Sequence, residues 1–235
     1  MAKAPKFYFP DGESSQIMYG DNLISDKSCR GLIAECETYF DRLFKPGITL
    51  GGNNPLVKRS SDFNFSKSSV DEQGVDSSNF SFYENEVTDG LYKAIGYYIQ
   101  QYEELWKWPG VRDTGYRLQR YFKSHGYYRT HIDGAPWDVT GGPGPRVLGV
   151  VIYLNDVDVG GSTHFPAHDL HVPAKAGRIS VFPTNWTHPH MGQTPISCDK
   201  WMISTFMVCD VYDMPEPQEP PTYSEQDNET VAVDV

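Results

Sequence analysis

No apolar run in this 235-residue chain approaches the ~18 residues that a membrane-spanning helix needs. Met1-Ala2-Lys3-Ala4-Pro5-Lys6 also lacks the apolar stretch of a secretory signal. A cytoplasmic protein with no membrane partner is the expectation. Cysteine is scarce: Cys29, Cys36, Cys198 and Cys209 form no close CxxC pair. That excludes a disulfide framework and a cysteine-rich zinc module, and leaves reduced, mostly buried thiols. Positive charge is short as well. Twenty Lys and Arg stand against 31 Asp and Glu, a net charge of −11, whereas a nucleic-acid partner calls for clustered cations. Residues 212–235 carry seven of those acids and no Lys or Arg, so they read as an acidic, flexible tail behind a body close to neutral. Residues 1–211 then form one domain, and no internal repeat divides it.

Aromatics are plentiful, 15 Tyr among them, which suits β structure and a ring-lined cleft. Residues 7–24 read as an entry strand and loop. A helix is expected from Asp26 to Phe44, with Ser25 as N-cap, because Cys29, Leu32, Ile33, Cys36, Tyr39, Phe40 and Leu43 recur at helical spacing. Pro46-Gly47 stops it. Gly51 to Phe80 is rich in Ser, Asn, Gly and Asp and reads as a long irregular, mobile segment on a substrate-facing surface. A second helix is expected over about Glu84 to Trp106, ended by Trp108-Pro109-Gly110. Strands follow: Tyr116–Phe122, Tyr127–Ile132, Val147–Leu154, Leu170–Val172, Arg178–Phe182 and Trp201–Cys209. Gly-rich and Pro-containing turns separate them. N-terminal helices (about 26–106) followed by a run of strands (about 112–209) give an α+β fold, with helices on one face of a curled antiparallel sheet.

Chemistry concentrates in the strand region. His131 and Asp133 are two apart at a strand end, so both side chains point to one face. A histidine from His188-Pro189-His190 would complete two imidazoles and one carboxylate, the set that holds an open-coordinate Fe(II). Alternation alone does not separate the two candidates. Lys200 enters a buried apolar strand, where an ammonium is costly unless paired, so an anion in the cleft is expected opposite it. His164, His168 and His171 could be read as a zinc cluster, but Pro166 disfavours the helix their spacing would need, and cysteine ligands are missing.

Taken in order, Tyr121, His131, Asp133, Arg146, Tyr153-Leu154-Asn155, the run Gly160-Gly161-Ser162-Thr163-His164-Phe165-Pro166, Gly177, His190, Gly192, Pro195 and Lys200-Trp201 resemble the prolyl 4-hydroxylase group of Fe(II)/2-oxoglutarate dioxygenases. The resemblance spans about residues 112–209. It implies a double-stranded β-helix, or jelly-roll, with iron held by His131, Asp133 and His190. The lysine ten residues beyond the ligand is what selects His190 over His188. Lys200 and Tyr121 would hold the distal carboxylate of 2-oxoglutarate, Tyr128 and Thr163 would line its pocket, and Arg146 would contact substrate. Two positions depart from the family pattern: Phe206 stands where a Trp is usual and Cys198 where a Gly is common.

The implied activity is hydroxylation of a prolyl residue in a peptide or protein, with O2 as co-substrate, succinate and CO2 as products, and ascorbate as reductant. Other targets for the same chemistry are another residue or a small metabolite. The intact His131, Asp133, His190 and Lys200 set speaks against a non-catalytic jelly-roll binding protein, and a zinc hydrolase would lack a general base and leave Lys200 unexplained. Bacterial and viral members of that group both lack a secretory signal, so a viral protein acting in a host cytoplasm fits as well.

Overall fold

A computed structural model describes residues 3–12, 14–49, 51–102, 111–134 and 145–209. The acidic tail, the loop beyond Gly134 and the Trp108-Pro109-Gly110 stop lie outside the described residues. The chain enters through β1 (Lys6–Tyr8) and β2 (Met18–Asp21), then forms α1 (Asp26–Thr38), α2 (Phe40–Leu43) and β3 (Lys45–Pro46). Next come β4 (Lys58–Arg59), β5 (Ser61–Phe65), α3 (Lys67–Glu72) and the long α4 (Ser78–Gln101). The strand-rich half holds β6 (Val111–Asp113), β7 (Tyr116–Tyr121), β8 (Tyr127–His131), β9 (Arg146–Tyr153), β10 (Thr163–Phe165), β11 (Leu170–Val172), β12 (Ile179–Pro183), β13 (His190–Gly192) and β14 (Lys200–Cys209).

These strands make two sheets, every pairing antiparallel. The major sheet runs β1-β2-β12-β9-β14-β7-β5-β3, with β6 added beside β14, and the minor sheet runs β11-β10-β13-β8-β4. The two together are the jelly-roll expected from the sequence. Strand alternation builds two cores. On β14, Trp201, Ile203 and Met207 face the helices, where they meet Cys29, Leu32, Phe80, Leu91 and Ile95. Met202 faces the minor sheet with Tyr121, Tyr153, Phe165 and Phe182. Helices thus cover one face of the major sheet, and the other face is left for the site.

Three expectations change. The first helix breaks at Tyr39 (φ −113°, ψ 21°) instead of running to Phe44. The short α2 that follows stacks Phe40 on Phe44 and sets both edge-on to Trp201. Ser25 does cap α1, its Oγ accepting from the Ser28 N–H at 3.0 Å. The long helix starts at Ser78, because Asp76 Oδ1 accepts from both the Ser78 N–H and its hydroxyl and Phe80 is fully buried. Its expected stretch beyond Tyr102 lies outside the described residues.

The largest correction concerns residues 51–80, which hold β4, β5 and α3 rather than one irregular segment. All five residues of β5 pair with β7, and Phe63 and Phe65 pack toward the helices. Ser66 caps α3 by accepting from the Ser69 N–H. At Ser60 the chain passes from the minor sheet, where β4 pairs with β8, to the major one. A buried ion pair spans that corner: Lys58 Nζ lies 2.7 Å from Asp62 Oδ2, and the Ser60 hydroxyl donates to Asp62 Oδ1.

Candidate functional site

β8 and β13 are short and adjacent, and their register sets His131 directly opposite His190. Asp133 follows the end of β8 and reaches both rings. His131 Nε2 lies 3.3 Å from Asp133 Oδ1, and His190 Nε2 lies 3.4 Å from Asp133 Oδ2. The three ligand atoms fall within 4.8 Å of one another, and no other such His/Cys/Asp/Glu group occurs among the described residues.

Backbone carbonyls orient both rings. His131 Nδ1 sits 2.8 Å from the Arg129 carbonyl and His190 Nδ1 3.1 Å from the His188 carbonyl. A carbonyl only accepts, so each Nδ1 carries a hydrogen, and each Nε2 is the nitrogen turned to Asp133 and open to a metal. Burial pushes the His190 imidazole below its ordinary pKa, against the pull of Asp133. Burial would raise the Asp133 carboxyl, but His190, His131 and Arg146 outweigh it and hold the group below its usual value. Two imidazoles and one carboxylate gathered this closely fit a divalent first-row metal with open positions.

Lys200 stands across the cavity at the start of β14. It is 1% exposed, and Nζ donates to the Gly161 carbonyl at 3.0 Å. No carboxylate pairs with it among the described residues, so burial pulls its pKa down to about 7. Its ammonium also lies over the Tyr121 ring, 4.7 Å from the centroid, because the two residues are register partners. The Tyr121 hydroxyl donates to Gln119 Oε1; burial holds that phenol far above its ordinary pKa, as a donor.

Tyr128 stacks on His131, with centroids 3.6 Å apart. Thr163 Oγ1 is 2.6 Å from the Tyr153 hydroxyl, and Thr163 lies opposite Gly192 in register. Arg146 donates to the Asp133 carbonyl at 3.2 Å and packs its guanidinium over the Phe206 ring at 4.0 Å. The phenylalanine that departs from the family pattern is thus the floor under this arginine. Tyr121, Tyr128, His131, Asp133, Arg146, Thr163, His190, Lys200 and Phe206 line one cavity of about 930 Å³.

The histidines outside this cluster lie apart from it. His164 and His171 are register partners with parallel rings 4.0 Å apart, while His168 packs against His188. The alternative zinc cluster does not assemble. His188 is buried, with Nε2 2.6 Å from the Ser15 carbonyl.

Two contributors escaped the sequence reading. One is the Lys58–Asp62 pair, whose ammonium lies 5.2 Å over the Tyr128 ring that stacks on His131. The other is Gly149, the single glycine in the β9 run Arg-Val-Leu-Gly-Val-Val-Ile-Tyr. A glycine inside such a strand was itself a signal of close approach. A Cβ there would lie 2.6 Å from the Phe182 ring and 2.9 Å from Asp133 Oδ2. Gly149→Ala is expected to displace that carboxylate and weaken metal binding about tenfold or more in a folded protein. Anaerobic Co(II) titration followed by absorbance, alongside circular dichroism, checks it.

Residues 116–208 match the 2OG-Fe(II) oxygenase superfamily. The chain carries a 2OG-Fe(II) oxygenase domain. In class it is a 2-oxoglutarate-dependent dioxygenase, whose co-substrates are 2-oxoglutarate and O2 and whose metal is Fe(II). None of the curated proteins matches it. Among solved structures, the domain resembles a viral collagen prolyl hydroxylase from Paramecium bursaria Chlorella virus-1 in its 2OG complex. That likeness has 17% identity and a TM-score of 0.56, over 83% of this chain and 97% of the viral one. A Trichoplax adhaerens prolyl hydroxylase, in complex with a peptide fragment of the hypoxia inducible factor oxygen degradation domain, gives 15% and 0.61, over 83% and 84%. A Pseudomonas putida prolyl-4-hydroxylase gives 17% and 0.58, over 84% and 95%. At these identities the likeness bears on the fold. No helix among the described residues is long and apolar enough to cross a membrane.

Proposed function

We propose that this oxygenase domain hydroxylates a prolyl residue in a peptide or protein, converting 2-oxoglutarate and O2 to succinate and CO2. The observation that carries the reading is Lys200, a buried ammonium with no acidic partner among the described residues, facing a His–Asp–His cluster across one cavity. His131 Nε2, the Asp133 carboxylate and His190 Nε2 would hold Fe(II), which with 2-oxoglutarate supplies the oxidising power when bound.

The chain's own work is positioning. Lys200 neutralises the distal carboxylate of the co-substrate and fixes its orientation. Tyr121 offers its hydroxyl to the same carboxylate in exchange for Gln119, while Thr163 and Tyr128 wall the pocket and exclude water. Arg146, held over Phe206 beside the Asp133 carbonyl, stands where substrate enters. Support for a prolyl target comes from the prolyl hydroxylase fold of the solved neighbours, and support for a peptide from the peptide bound to the Trichoplax protein. Ascorbate as reductant and a cytoplasmic location complete the proposal.

Incubation with Fe(II), ascorbate and 2-oxoglutarate is expected to release succinate slowly without prime substrate, and faster with proline-rich peptides that gain 16 Da by mass spectrometry. Absence of both succinate and calorimetric 2-oxoglutarate binding would overturn the proposal.

A further inference from the structure

The cavity face of the major sheet is ordered in rows by strand register. Tyr121 and Lys200 form the innermost row, and Asp62, Gln119 and Met202 the next. Asn64, Arg117 and Ser204 form the row beyond it, side by side on β5, β7 and β14. All three of these outer residues line the cavity. From Lys200 to Ser204 is four residues of strand, about 13 Å. That places the Arg117 row well outward of the ammonium assigned to the co-substrate.

The other cations of the lining are committed. Lys58 is neutralised by Asp62 at 2.7 Å, Lys200 faces the co-substrate pocket, and Arg146 holds the Asp133 carbonyl and the Phe206 ring. Arg117 is half-buried, yet no side chain or carbonyl among the described residues hydrogen-bonds or ion-pairs with it. Its strand neighbours are an amide and a hydroxyl, neither of which neutralises it. The Ser204 hydroxyl is itself engaged, accepting from Gln119. A half-buried guanidinium loses hydration, and a planar fork of donors is best satisfied by a carboxylate. In a chain of net charge −11, an arginine in the lining of that cavity with no acidic partner among the described residues is a local reversal of sign.

We infer that Arg117 is a specificity-determining residue that pairs with a carboxylate on the substrate, so that the substrate class is an acidic peptide. This rests on the oxygenase reading of the same cavity, which is why the test includes a readout that needs no turnover. Fluorescein-labelled proline-containing peptides of one length, carrying Glu, Gln or Lys at successive positions from the proline, are titrated onto protein loaded with Mn(II) and N-oxalylglycine. Fluorescence anisotropy reads the binding. Each peptide is made with a free and with an amidated C-terminus, which separates a side-chain carboxylate from a terminal one.

The wild type is expected to favour the acidic peptide over its Gln counterpart by about tenfold or more. Arg117→Met removes the preference while leaving N-oxalylglycine affinity unchanged. Arg117→Glu turns it toward the Lys peptide, a gain that a merely damaged fold does not produce. Equal binding of Glu and Gln peptides by the wild type overturns the inference. So does a preference that survives Arg117→Met, or an Arg117→Met variant whose loss falls on N-oxalylglycine. If the acidic preference holds but no succinate is ever released, the oxygenase reading fails and this one stands.

Discussion

Lys200→Met is expected to abolish measurable 2-oxoglutarate binding while making the unliganded protein harder to unfold. Both effects come from one buried charge. In the free protein the Lys200 ammonium is 1% exposed, receives one carbonyl at 3.0 Å and faces a tyrosine ring. Those contacts do not replace its hydration, so its pKa falls to about 7. Between about pH 7 and its ordinary value of 10.5 the unfolded chain holds a proton there that the folded chain has released. Stability therefore rises with pH through that window. The cost of the charge is present in full below about pH 7 and fades toward 10.5.

Methionine has a similar length and no charge, so the variant escapes a cost on the order of 4 kcal/mol at neutral pH. Urea unfolding at pH 6.5 and pH 9 checks this: the variant's advantage should be full at the first and reduced to about half or less at the second. Ligand binding carries the opposite sign. A dicarboxylate favours the protonated lysine, so above about pH 7 binding takes up a proton and affinity weakens, by up to about tenfold per pH unit. Calorimetry in buffers of different ionisation enthalpy reads that uptake directly. Affinity that stays level from pH 6.5 to 8.5 would refute it, as would a Lys200→Met variant that still binds.

How far this site could be read from sequence depended on where the information lay. Hydrophobic alternation marks strands buried between layers, so β7, β9, β12 and β14 stand out from their residues alone. The minor sheet is different. Thr163–Phe165 and His190–Gly192 are three residues each, and they carry histidines and a glycine where a core strand would carry Val or Ile. Their residues are spent on the cavity, so only the ordered motif, and not periodicity, gave their place.

Residues 58–65 were misread for a related reason. Lys58, Ser60 and Asp62 are polar residues inside the segment expected to be irregular, yet all three are buried and satisfy one another across the corner between the sheets. A buried ion pair contributes nothing to a hydrophobic pattern. It becomes visible only when the chain is folded around it. Gly149 and Phe206 sit between these extremes, each an oddity in the sequence whose partner, Asp133 or Arg146, lies on another element.

The choice between His188 and His190 can be tested to a sharp result. His190→Ala is expected to lower metal affinity by at least about a hundredfold, and His188→Ala to leave affinity in place while costing about 1–3 kcal/mol of stability. The two imidazoles differ in which nitrogen is spent. The Nδ1 of His190 meets the His188 carbonyl at 3.1 Å, which leaves Nε2 as the nitrogen open to a metal, 3.4 Å from Asp133 Oδ2. In His188 it is Nε2 that meets a carbonyl, that of Ser15, at 2.6 Å. That nitrogen must carry the hydrogen, and Nδ1 is turned onto the Thr187 hydroxyl, 2.8 Å away. No lone pair of His188 faces the cavity. Its removal instead strands the carbonyl of Ser15, a residue 1% exposed, which joins the chain's entry segment to the loop before β13. Mutating His190 removes a donor that Asp133 and His131 already face, and leaves a pair too few to hold the metal. Anaerobic Co(II) titration gives the affinities, and urea unfolding of the same variants gives the stabilities. Metal lost by His188→Ala and kept by His190→Ala would reverse the assignment and would require Ser15 to find another donor.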